Sequence, residues 1–324
     1  MKTVLLTGAA GFIGHKTTEI LCDQGYHVVG VDNLNHYYDV SLKNYRVEKL
    51  IKRSNFEFIK ADIENLSVLR EIFEKYDIKF VVNLAARAGV RYSIENPHIY
   101  MSTNAHGTLN LLELMREFSI PKLVLASTSS LYAGQQMPFL ESLPVNEPIS
   151  PYAATKKSAE AMAFTYHHLF GIDVTILRYF TVYGRASRPD MAQFRFMRWI
   201  DEEKPIQLFG DGSKSRDFTH VEDIANGTVL GLKDVGFEVI NLGGGKNPIS
   251  ISKMIDTIAD KLGKKAIIEN LPDHKADMKD TWANIYKAKE ILGWKPIIDF
   301  EDGIEDCVLD YKTNLSYYKS IKIL

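Results

Sequence analysis

The chain contains Thr3-Val-Leu-Leu-Thr7-Gly8-Ala-Ala-Gly11-Phe-Ile-Gly14, an apolar run that ends in regularly spaced glycines. The run predicts a buried strand, and the glycines predict its tight turn into a helix. Glycines let the backbone approach a pyrophosphate closely, and the charge of that group then lies at the helix N-terminus. Glycines also form ordinary turns, so the dinucleotide site that this pattern predicts depends on the next strand as well.

A second strand, His27-Val-Val-Gly-Val31, leads into Asp32-Asn33. An acid at that point accepts hydrogen bonds from the ribose hydroxyls of NAD. It would repel the additional phosphate of NADP, and no arginine comes directly after it to compensate. The sequence therefore favours NAD over NADP.

Tyr152-Ala-Ala-Thr-Lys156 lies downstream of a polar run, Ser127-Thr128-Ser129-Ser130. Four residues apart on a helix, the tyrosine and the lysine share one face. A free tyrosine phenol has a pKa of about 10, and a nearby ammonium favours the phenolate, which makes Tyr152 a candidate base near neutral pH. Such a base suits removal of a proton from a sugar alcohol. Taken alone, the pair could equally be two surface residues at helical spacing.

Strands and helices alternate along the first half of the chain. Further strands are predicted at Phe56-Glu-Phe-Ile-Lys60, Phe80-Val-Val-Asn-Leu84, Lys122-Leu-Val-Leu-Ala126 and Asp173-Val-Thr-Ile-Leu177, and a helix from about Pro97 to Phe118. This alternation predicts an α/β fold with a Rossmann-type, doubly wound parallel sheet. Ligands bind at the carboxyl ends of such strands. That edge should carry Gly11, Asp32, Asp62, Ala85, Thr128 and the loop after Leu177.

The pattern becomes irregular beyond Arg178, and Phe237-Glu-Val-Ile-Asn241 then returns as one more strand. We expect residues 1–178 plus about 236–245 to form an NAD-binding domain. Residues of about 179–235 and 246–324 are expected to form a smaller α/β substrate domain.

Composition narrows the function classes. The 324 residues include 39 Lys and Arg against 41 Asp and Glu, a net charge of -2 that does not suggest nucleic-acid binding. Two cysteines, Cys22 and Cys307, argue against a disulfide framework or a structural zinc, and the nine histidines show no metal spacing. No apolar stretch reaches membrane-spanning length and no signal peptide is expected. We expect a cytoplasmic protein with no metal, membrane or nucleic-acid partner.

The combined motifs resemble a known family, the extended short-chain dehydrogenases/reductases. The residues that carry the resemblance are Gly8-x-x-Gly11-x-x-Gly14, Asp32-Asn33, Asp62-Ile63, Leu84-Ala85-Ala86 and Tyr152-x-x-x-Lys156. Within that family, the sugar-nucleotide epimerases and dehydratases are similar over nearly the whole chain. Three stretches resemble the UDP-glucuronate 4-epimerase group: Ala85-Ala-Arg-Ala-Gly-Val-Arg91-Tyr-Ser, Ser150-Pro-Tyr-Ala-Ala-Thr-Lys-Lys157, and Arg178-Tyr-Phe-Thr181-Val-Tyr-Gly with Arg188-Pro-Asp-Met-Ala192.

The resemblance implies an NAD-dependent isomerase that inverts C4 of UDP-glucuronate through a transient 4-keto sugar. Tyr152 would take the proton from the 4-hydroxyl, Thr128 would bond the same oxygen, and Lys156 would hold the phenolate and the nicotinamide ribose. NAD would be regenerated in each cycle and stay bound. A homodimer formed through the helices from about Pro97 and Tyr152 is also implied.

The resemblance also assigns binding residues. Those expected at the cofactor are Gly8, Gly11, Phe12, Ile13, Gly14, Asp32, Asn33, Asn35, Asp62, Ile63, Leu84, Ala85, Ala86, Asn104, Tyr152, Lys156 and Tyr179. Those expected at the substrate are Arg91, Ser129, Ser130, Thr181, Arg188, Gln207, Arg216 and Asp277. Arg188 is expected to face the sugar carboxylate, with Arg185 as the alternative. Arg216 is expected at the diphosphate, Asp277 at the nucleotide ribose and Gln207 at the uracil.

Other reactions on the same scaffold remain open at this point. A 4-keto uronate is a β-keto acid that loses carbon dioxide readily. Related dehydratases and decarboxylases usually carry an acid soon after the catalytic Thr or Ser, where this chain has Ser129 and Ser130. The serines favour epimerisation over a UDP-glucuronate decarboxylase. A UDP-glucose 4-epimerase is a further alternative, and a non-catalytic dinucleotide sensor would not require Thr128, Tyr152 and Lys156.

Overall fold

The fold is that of a computed structural model, which describes residues 1–246, 248–272 and 278–323. The strands are β1 (Thr3–Thr7), β2 (His27–Asp32), β3 (Phe56–Lys60), β4 (Ile78–Asn83), β5 (Lys122–Thr128), β6 (Asp173–Tyr179), β7 (Thr181–Tyr183), β8 (Pro205–Phe209), β9 (Ser215–Arg216), β10 (Phe218–His220), β11 (Phe237–Leu242), β12 (Ile249–Ser250) and β13 (Ile267–Leu271).

Helices flank these strands. They are α1 (Phe12–Asp23), α2 (Val40–Leu50), α3 (Leu66–Lys75), α4 (Val90–Glu95), α5 (Pro97–Tyr100), α6 (Gly107–Glu117), α7 (Pro151–Phe170), α8 (Ala192–Asp201), α9 (Val221–Leu230), α10 (Ile251–Leu262), α11 (Phe300–Thr313) and α12 (Leu315–Ser320). A 3₁₀ turn covers Ser129–Tyr132, and wider π-helical turns cover Met101–His106 and Ala288–Leu292.

Within the described part of the chain, seven strands form one sheet in the order β11-β6-β5-β4-β1-β2-β3. Every pairing in this sheet is parallel. Helices α1 and α9 bury apolar side chains against one face, and α3, α6 and α7 against the other. This arrangement confirms the predicted doubly wound, Rossmann-type sheet. Because both faces are covered, β1 and β5 are buried along their whole length.

The glycine turn after β1 permits no side chain at its closest point. Gly8 has φ +75°, a conformation that L-residues rarely adopt. A Cβ atom added to Gly14 would lie 2.0 Å from the carbonyl oxygen of Gly8. The backbone of the first turn of α1 therefore packs directly on the strand end, at the position that the sequence pattern predicts.

The helix predicted from Pro97 to Phe118 is present but not uniform. It consists of α5, the π-helical turn Met101–His106, and α6. A π-helical turn widens the backbone and often marks a functional position. Here it holds Asn104, which is 1% exposed, between α7 and the loop that comes after β4.

The C-terminal part of the chain forms a second apolar core. Side chains from α8, α10, α11 and α12 pack around β8 and β10. Tyr38 and Leu42, from the α2 region, join this core, while α9 packs on α1 under the large sheet. The predicted division into two domains stays a prediction. In the described residues, no helix is long and apolar enough to cross a membrane.

Candidate active site

A cavity of about 350 Å³ opens at the carboxyl edge of the large sheet. It is lined by residues at the ends of β1, β2, β3, β4, β5 and β6, and by the start of α7. The residues predicted at the cofactor that line it are Gly8, Gly11, Phe12, Ile13, Gly14, Asp32, Asn33, Asn35, Asp62, Ile63, Leu84, Ala85, Ala86, Tyr152, Lys156 and Tyr179. Parallel pairing thus brings together residues that are far apart in the sequence.

Asn104, also predicted at the cofactor, lies behind the cavity rather than among its lining residues. Its side-chain oxygen accepts a hydrogen bond from the Arg87 backbone N–H at 2.8 Å, and its amide nitrogen donates to the Arg87 carbonyl at 3.0 Å. The same nitrogen donates to the Thr155 hydroxyl at 3.1 Å. Asn104 therefore fixes the loop after β4 relative to α7.

The N-terminus of α1 fits an anionic group. Gly11 is the N-cap and has no side chain to satisfy the first backbone N–H groups of the helix. Phe12 and Ile13, the next two residues, line the cavity. Free N–H groups and the helix dipole together favour a phosphate at this position.

Tyr152 and Lys156 are positioned by the first turns of α7. The Ser150 hydroxyl caps this helix by accepting a hydrogen bond from the Ala153 N–H at 3.2 Å, and Pro151 occupies its first position. Tyr152 and Lys156 both line the cavity, with Lys156 only 4% exposed. Thr128, at the end of β5, lines it beside them and interacts with the Tyr152 phenol.

The electrostatics of Tyr152 differ from the sequence-based expectation. Burial raises its pKa, while the Thr128 side chain and the charge of Arg188 act in the opposite direction. Burial also lowers the pKa of Lys156 to about 8, and the Glu160 carboxylate opposes that shift. Burial of the two groups thus weakens the charge of the lysine and disfavours the phenolate.

A buried polar network lies behind Lys156. Glu160, one helical turn further along α7, accepts hydrogen bonds from Arg178 Nε at 2.9 Å and Nη2 at 2.7 Å. It also accepts one from the Ser127 hydroxyl at 2.6 Å. Arg178 Nη1 donates to the Tyr132 hydroxyl at 2.8 Å. Glu160 and Arg178 are 4% and 3% exposed, so the pair joins α7 to the middle of the sheet with little screening by water.

The predicted substrate side chains Ser129, Ser130 and Thr181 lie between this cavity and a second one of about 140 Å³. Arg216 lines the second cavity and donates to the carbonyl oxygens of Ser215 and Lys279 at 2.7 and 3.0 Å. The two cavities share side chains, so together they offer room for an elongated ligand.

Arg188 lines the main cavity, whereas the alternative, Arg185, lines neither described cavity. Arg188 donates to both carboxylate oxygens of Asp190, from Nε at 2.9 Å and from Nη2 at 2.7 Å. Burial tends to raise the pKa of Asp190, but Arg188 outweighs it and keeps that pKa below its usual range. Arg185 is half exposed and pairs with Asp306.

Arg91 and Gln207, also predicted at the substrate, line neither described cavity. The Arg91 guanidinium stacks on the Phe209 ring, 4.1 Å from its centre. Gln207 is exposed on β8. Asp277 lies outside the described residues.

Several lining residues were not predicted from the sequence. They include Tyr37, Tyr38, Lys43, Arg87, Ala88, Thr103 and Met191. Arg87 directly follows the Leu84-Ala85-Ala86 motif at the end of β4, so the sequence could have indicated its place at the cavity. Lys43 lies on α2, and no fixed spacing from Asp32 indicates that this helix turns back over the cavity.

The charge of the main cavity suits phosphate-bearing ligands. Its charged lining residues are Lys43, Arg87, Lys156, Arg188, Asp32 and Asp62. The two acids lie at the ends of β2 and β3, whereas Thr128 ends β5. The ends of β5 and β2 are three strand positions apart, which is about 14 Å at the usual strand spacing and separates Thr128 from Asp32 along the edge.

Among the described residues, no group of His, Cys, Asp and Glu could hold a metal ion.

Comparison with known proteins identifies relatives over the full chain. A family model described as GDP-mannose 4,6 dehydratase matches residues 5–307. A protein of Thermodesulfobacterium geofontis named UDP-glucuronate 4-epimerase is 57% identical over 323 residues, which cover 100% of both chains.

Solved structures show the same similarity. A UDP-glucuronic acid 4-epimerase from Bacillus cereus, in complex with UDP-glucuronic acid and NAD, is 39% identical, with a TM-score of 0.90 over 96% of this chain and 99% of that one. A UDP-glucose 4-epimerase from Thermotoga maritima, with UDP-glucose, is 29% identical, with a TM-score of 0.86 over 97% and 99%.

The Glu160–Arg178 pair generates a stability prediction. Glu160→Ala leaves a buried guanidinium without its carboxylate and should cost about 3–5 kcal/mol in the free energy of unfolding. Adding Arg178→Met to Glu160→Ala removes the uncompensated charge, so the double variant should be more stable than the sum of the two single losses by at least about 1.5 kcal/mol. Urea unfolding of the four proteins measures this coupling.

The exposed pair Lys253–Glu301, whose atoms lie 2.9 Å apart, is the control for this cycle. Because water screens it, Lys253→Met and Glu301→Ala should show no measurable coupling. Strictly additive losses at Glu160 and Arg178 would contradict the assigned role of the buried pair.

Proposed function

The chain belongs to the GDP-mannose 4,6 dehydratase family, and from that premise we propose that it is an NAD-dependent UDP-glucuronate 4-epimerase. It would interconvert UDP-glucuronate and UDP-galacturonate through a transient 4-keto sugar. The observation that carries the proposal is one cavity that holds Thr128, Tyr152 and Lys156 together with Arg188 and two serines.

The residues that would hold NAD fit the cofactor. The uncapped N-terminus of α1 offers N–H groups to the pyrophosphate, and Asp32 lies at the strand end where a ribose is held. Lys156 would donate to the nicotinamide ribose from the other end of the cavity. NAD, when bound, supplies the acceptor for the C4 hydride and returns the hydride to the ketone.

We assign the proton transfer to Tyr152. Its phenol oxygen would take the proton of the sugar 4-hydroxyl, and the Thr128 hydroxyl would donate to the same sugar oxygen. Because burial raises the pKa of the phenol, the phenolate needs positive charge nearby, which Arg188 and a protonated Lys156 can provide. The same phenol would return the proton once the ketone has been reduced on its other face.

Arg188 is the proposed partner of the sugar carboxylate. Asp190 holds it through Nε and Nη2 at the cavity wall, which fixes its orientation and leaves its remaining N–H groups for a ligand. Ser129, Ser130 and Thr181 line the same cavity and would add hydroxyl donors. A carboxylate held by several donors is restrained from the alignment in which a β-keto acid loses carbon dioxide.

The rest of the substrate is proposed to occupy the second cavity. Arg216 lines it and would neutralise the diphosphate. Arg91, which stacks on Phe209, is proposed as a further substrate contact, Gln207 as the uracil contact and Asp277 as the ribose contact.

The alternatives are less well supported. A decarboxylase would need an acid near Thr128, but the carboxylates among the described lining residues lie at the ends of β2 and β3. UDP-glucose has no carboxylate at C6 for Arg188 to bind, so a UDP-glucose 4-epimerase would not explain this arginine in the cavity. A dinucleotide sensor would not need Thr128, Tyr152 and Lys156 together.

We further propose a homodimer in the cytoplasm. Met101 and Phe164 are 54% and 52% exposed, and they lie on the long helix that contains α6 and on α7, the two helices expected to form the interface. Light scattering should give twice the 36.7 kDa chain mass.

The proposed cytoplasmic location agrees with the state of the cysteines. Cys22 and Cys307 are both buried free thiols, which suits a reducing compartment. Cell fractionation tests this location.

Incubation of the purified protein with UDP-glucuronate, and in parallel with UDP-glucose, tests the proposed function. NMR should show UDP-galacturonate accumulating without release of carbon dioxide. A UDP-pentose would instead identify a decarboxylase, and turnover of UDP-glucose alone would identify the neutral-sugar epimerase. A protein that binds NAD but converts none of these sugars would be a sensor, and the proposal would fail.

The Tyr152→Phe variant separates catalysis from binding. Loss of the phenol oxygen should lower kcat by about 100-fold or more, since proton transfer contributes about 10²–10⁴-fold in enzymes. The ring remains, so bound NAD should be retained, as measured by absorbance of the nucleotide released on denaturation. Near-normal turnover by this variant would overturn the assignment of the base.

Lys156 predicts an alkaline limit to activity. Its pKa is lowered to about 8, so the ammonium loses its proton as the pH rises through that value, and kcat/KM should decline above it. Glu160→Gln removes the negative charge that raises this pKa, so the decline should begin at lower pH. Glu301→Gln, on the exposed surface of α11, is the control. A decline that begins at the same pH in Glu160→Gln as in the unmodified protein would contradict the role of Lys156.

A further inference from the structure

Lys43 is a cation at the nucleotide end of the main cavity that the proposed mechanism does not use. It lies on α2, lines the cavity, and is only 4% exposed. Its Nζ atom is 3.9 Å from Oδ1 of Asp32, which is an ion-pair distance but too long for a hydrogen bond. The side chain also passes over the Tyr38 ring, with Nζ 4.9 Å from the ring centre.

Asp32 is held in place by the backbone rather than by Lys43. Its Oδ2 accepts a hydrogen bond from the Ala10 N–H at 3.2 Å, and its Oδ1 accepts one from the Leu34 N–H at 2.8 Å. The carboxylate is therefore fixed without help from the lysine. The ammonium stands beside it at the cavity wall, close enough to share a ligand oxygen with it.

The neighbouring Arg46 does not compete for this position. Its guanidinium donates to the carbonyl oxygens of Ala10 and Ala186 and to the Tyr38 hydroxyl. Arg46 is fully buried and does not line the cavity. Unlike Arg46, Lys43 lies beside the Asp32 carboxylate and lines the cavity, so a bound dinucleotide can contact its ammonium.

This pair changes the electrostatics of cofactor choice. A carboxylate alone at the end of β2 accepts the ribose hydroxyls of NAD and repels a phosphate on the 2′-oxygen. The Lys43 ammonium lies 3.9 Å from that carboxylate and offsets much of the repulsion. Both charges would lie at similar distances from the 2′-phosphate, in the same desolvated part of the cavity. Burial lowers the pKa of Lys43 to about 8 and Asp32 opposes that shift, so the ammonium is largely protonated at neutral pH.

We propose that Lys43 binds the oxygen substituent on C2′ of the adenosine ribose, and that it thereby gives a site built around Asp32 a measurable affinity for NADP as well as NAD. The inference rests on the proposed NAD site and concerns its selectivity. Lys43 donates to the 2′-hydroxyl of NAD as a minor contact. With NADP, the same ammonium faces a phosphate and makes the larger contribution.

Equilibrium exchange of the bound nucleotide for labelled NAD and for labelled NADP, in the purified protein without sugar, tests this inference by measuring the affinity for each. Lys43→Met keeps the length of the side chain and removes its charge. It should weaken NADP binding by about 30-fold, the size of a lost charge-assisted contact, and NAD binding by only a few-fold. Lys43→Arg should retain most of the NADP affinity. Lys49→Met, an exposed lysine on the same helix, is the control and should change neither affinity.

Unmodified protein that binds NAD but no NADP would contradict the proposed affinity, and the Asp32→Asn background tests the contribution of Lys43 separately. Removing the repelling carboxylate should tighten NADP binding, and adding Lys43→Met should reverse that gain by at least about 10-fold. An equal effect of Lys43→Met on both dinucleotides, in either background, would overturn the inference while leaving the NAD site intact. Failure of the unmodified protein to bind NAD would instead refute the proposed function.

Discussion

All pairings of the seven-stranded sheet are parallel, so the carboxyl ends of its strands must share one edge. The rest of the site depends on this constraint. It brings the glycine turn, Asp32, Asp62 and Thr128 to the same cavity, although the chain separates them widely. It also sets their order: the acids lie toward the β2 and β3 end, and the hydroxyls and Tyr152 toward β5 and β6. A ligand that spans the edge therefore meets acceptors at one end and proton-transfer groups at the other.

The buried Glu160–Arg178 pair links this edge to the helix that carries the base. Ser127 and Arg178 are direct neighbours on β5 and β6, and both contact Glu160 on α7. The pair therefore fixes the height of α7 over the strand ends, and its carboxylate supports the charge of Lys156. Arg188 contributes the second positive charge near Tyr152 and is itself fixed by Asp190. The two carboxylates therefore support these cations: Asp190 fixes the orientation of Arg188, and Glu160 opposes the loss of the Lys156 proton that burial favours.

Sequence patterns were sufficient for the parts of the site that lie directly at a strand end. Apolar runs ending in Gly8, Asp32 and Thr128 determine the edge, and helical spacing places Tyr152 beside Lys156. Patterns could not predict the electrostatic balance, because the desolvation that raises the pKa of Tyr152 comes from packing of distant segments. Nor could they predict Lys43, which reaches Asp32 only because α2 turns back over the cavity. Asn104 was predicted at the cofactor, but its place in a π-helical turn puts it behind the cavity wall. The roles of Arg91, Gln207 and Asp277 rest on resemblance and remain predictions.

The central claim is that the sugar is oxidised and reduced at the same carbon, with the hydride kept inside the cavity and only the 4-hydroxyl proton passed through Tyr152. Conversion of UDP-glucuronate in heavy water tests this claim most directly, with the product examined by NMR at C4. We predict UDP-galacturonate that carries protium on C4, because the hydride never exchanges with solvent. Deuterium bonded to C4 of the product would contradict this claim, since the hydrogen would then have come from water.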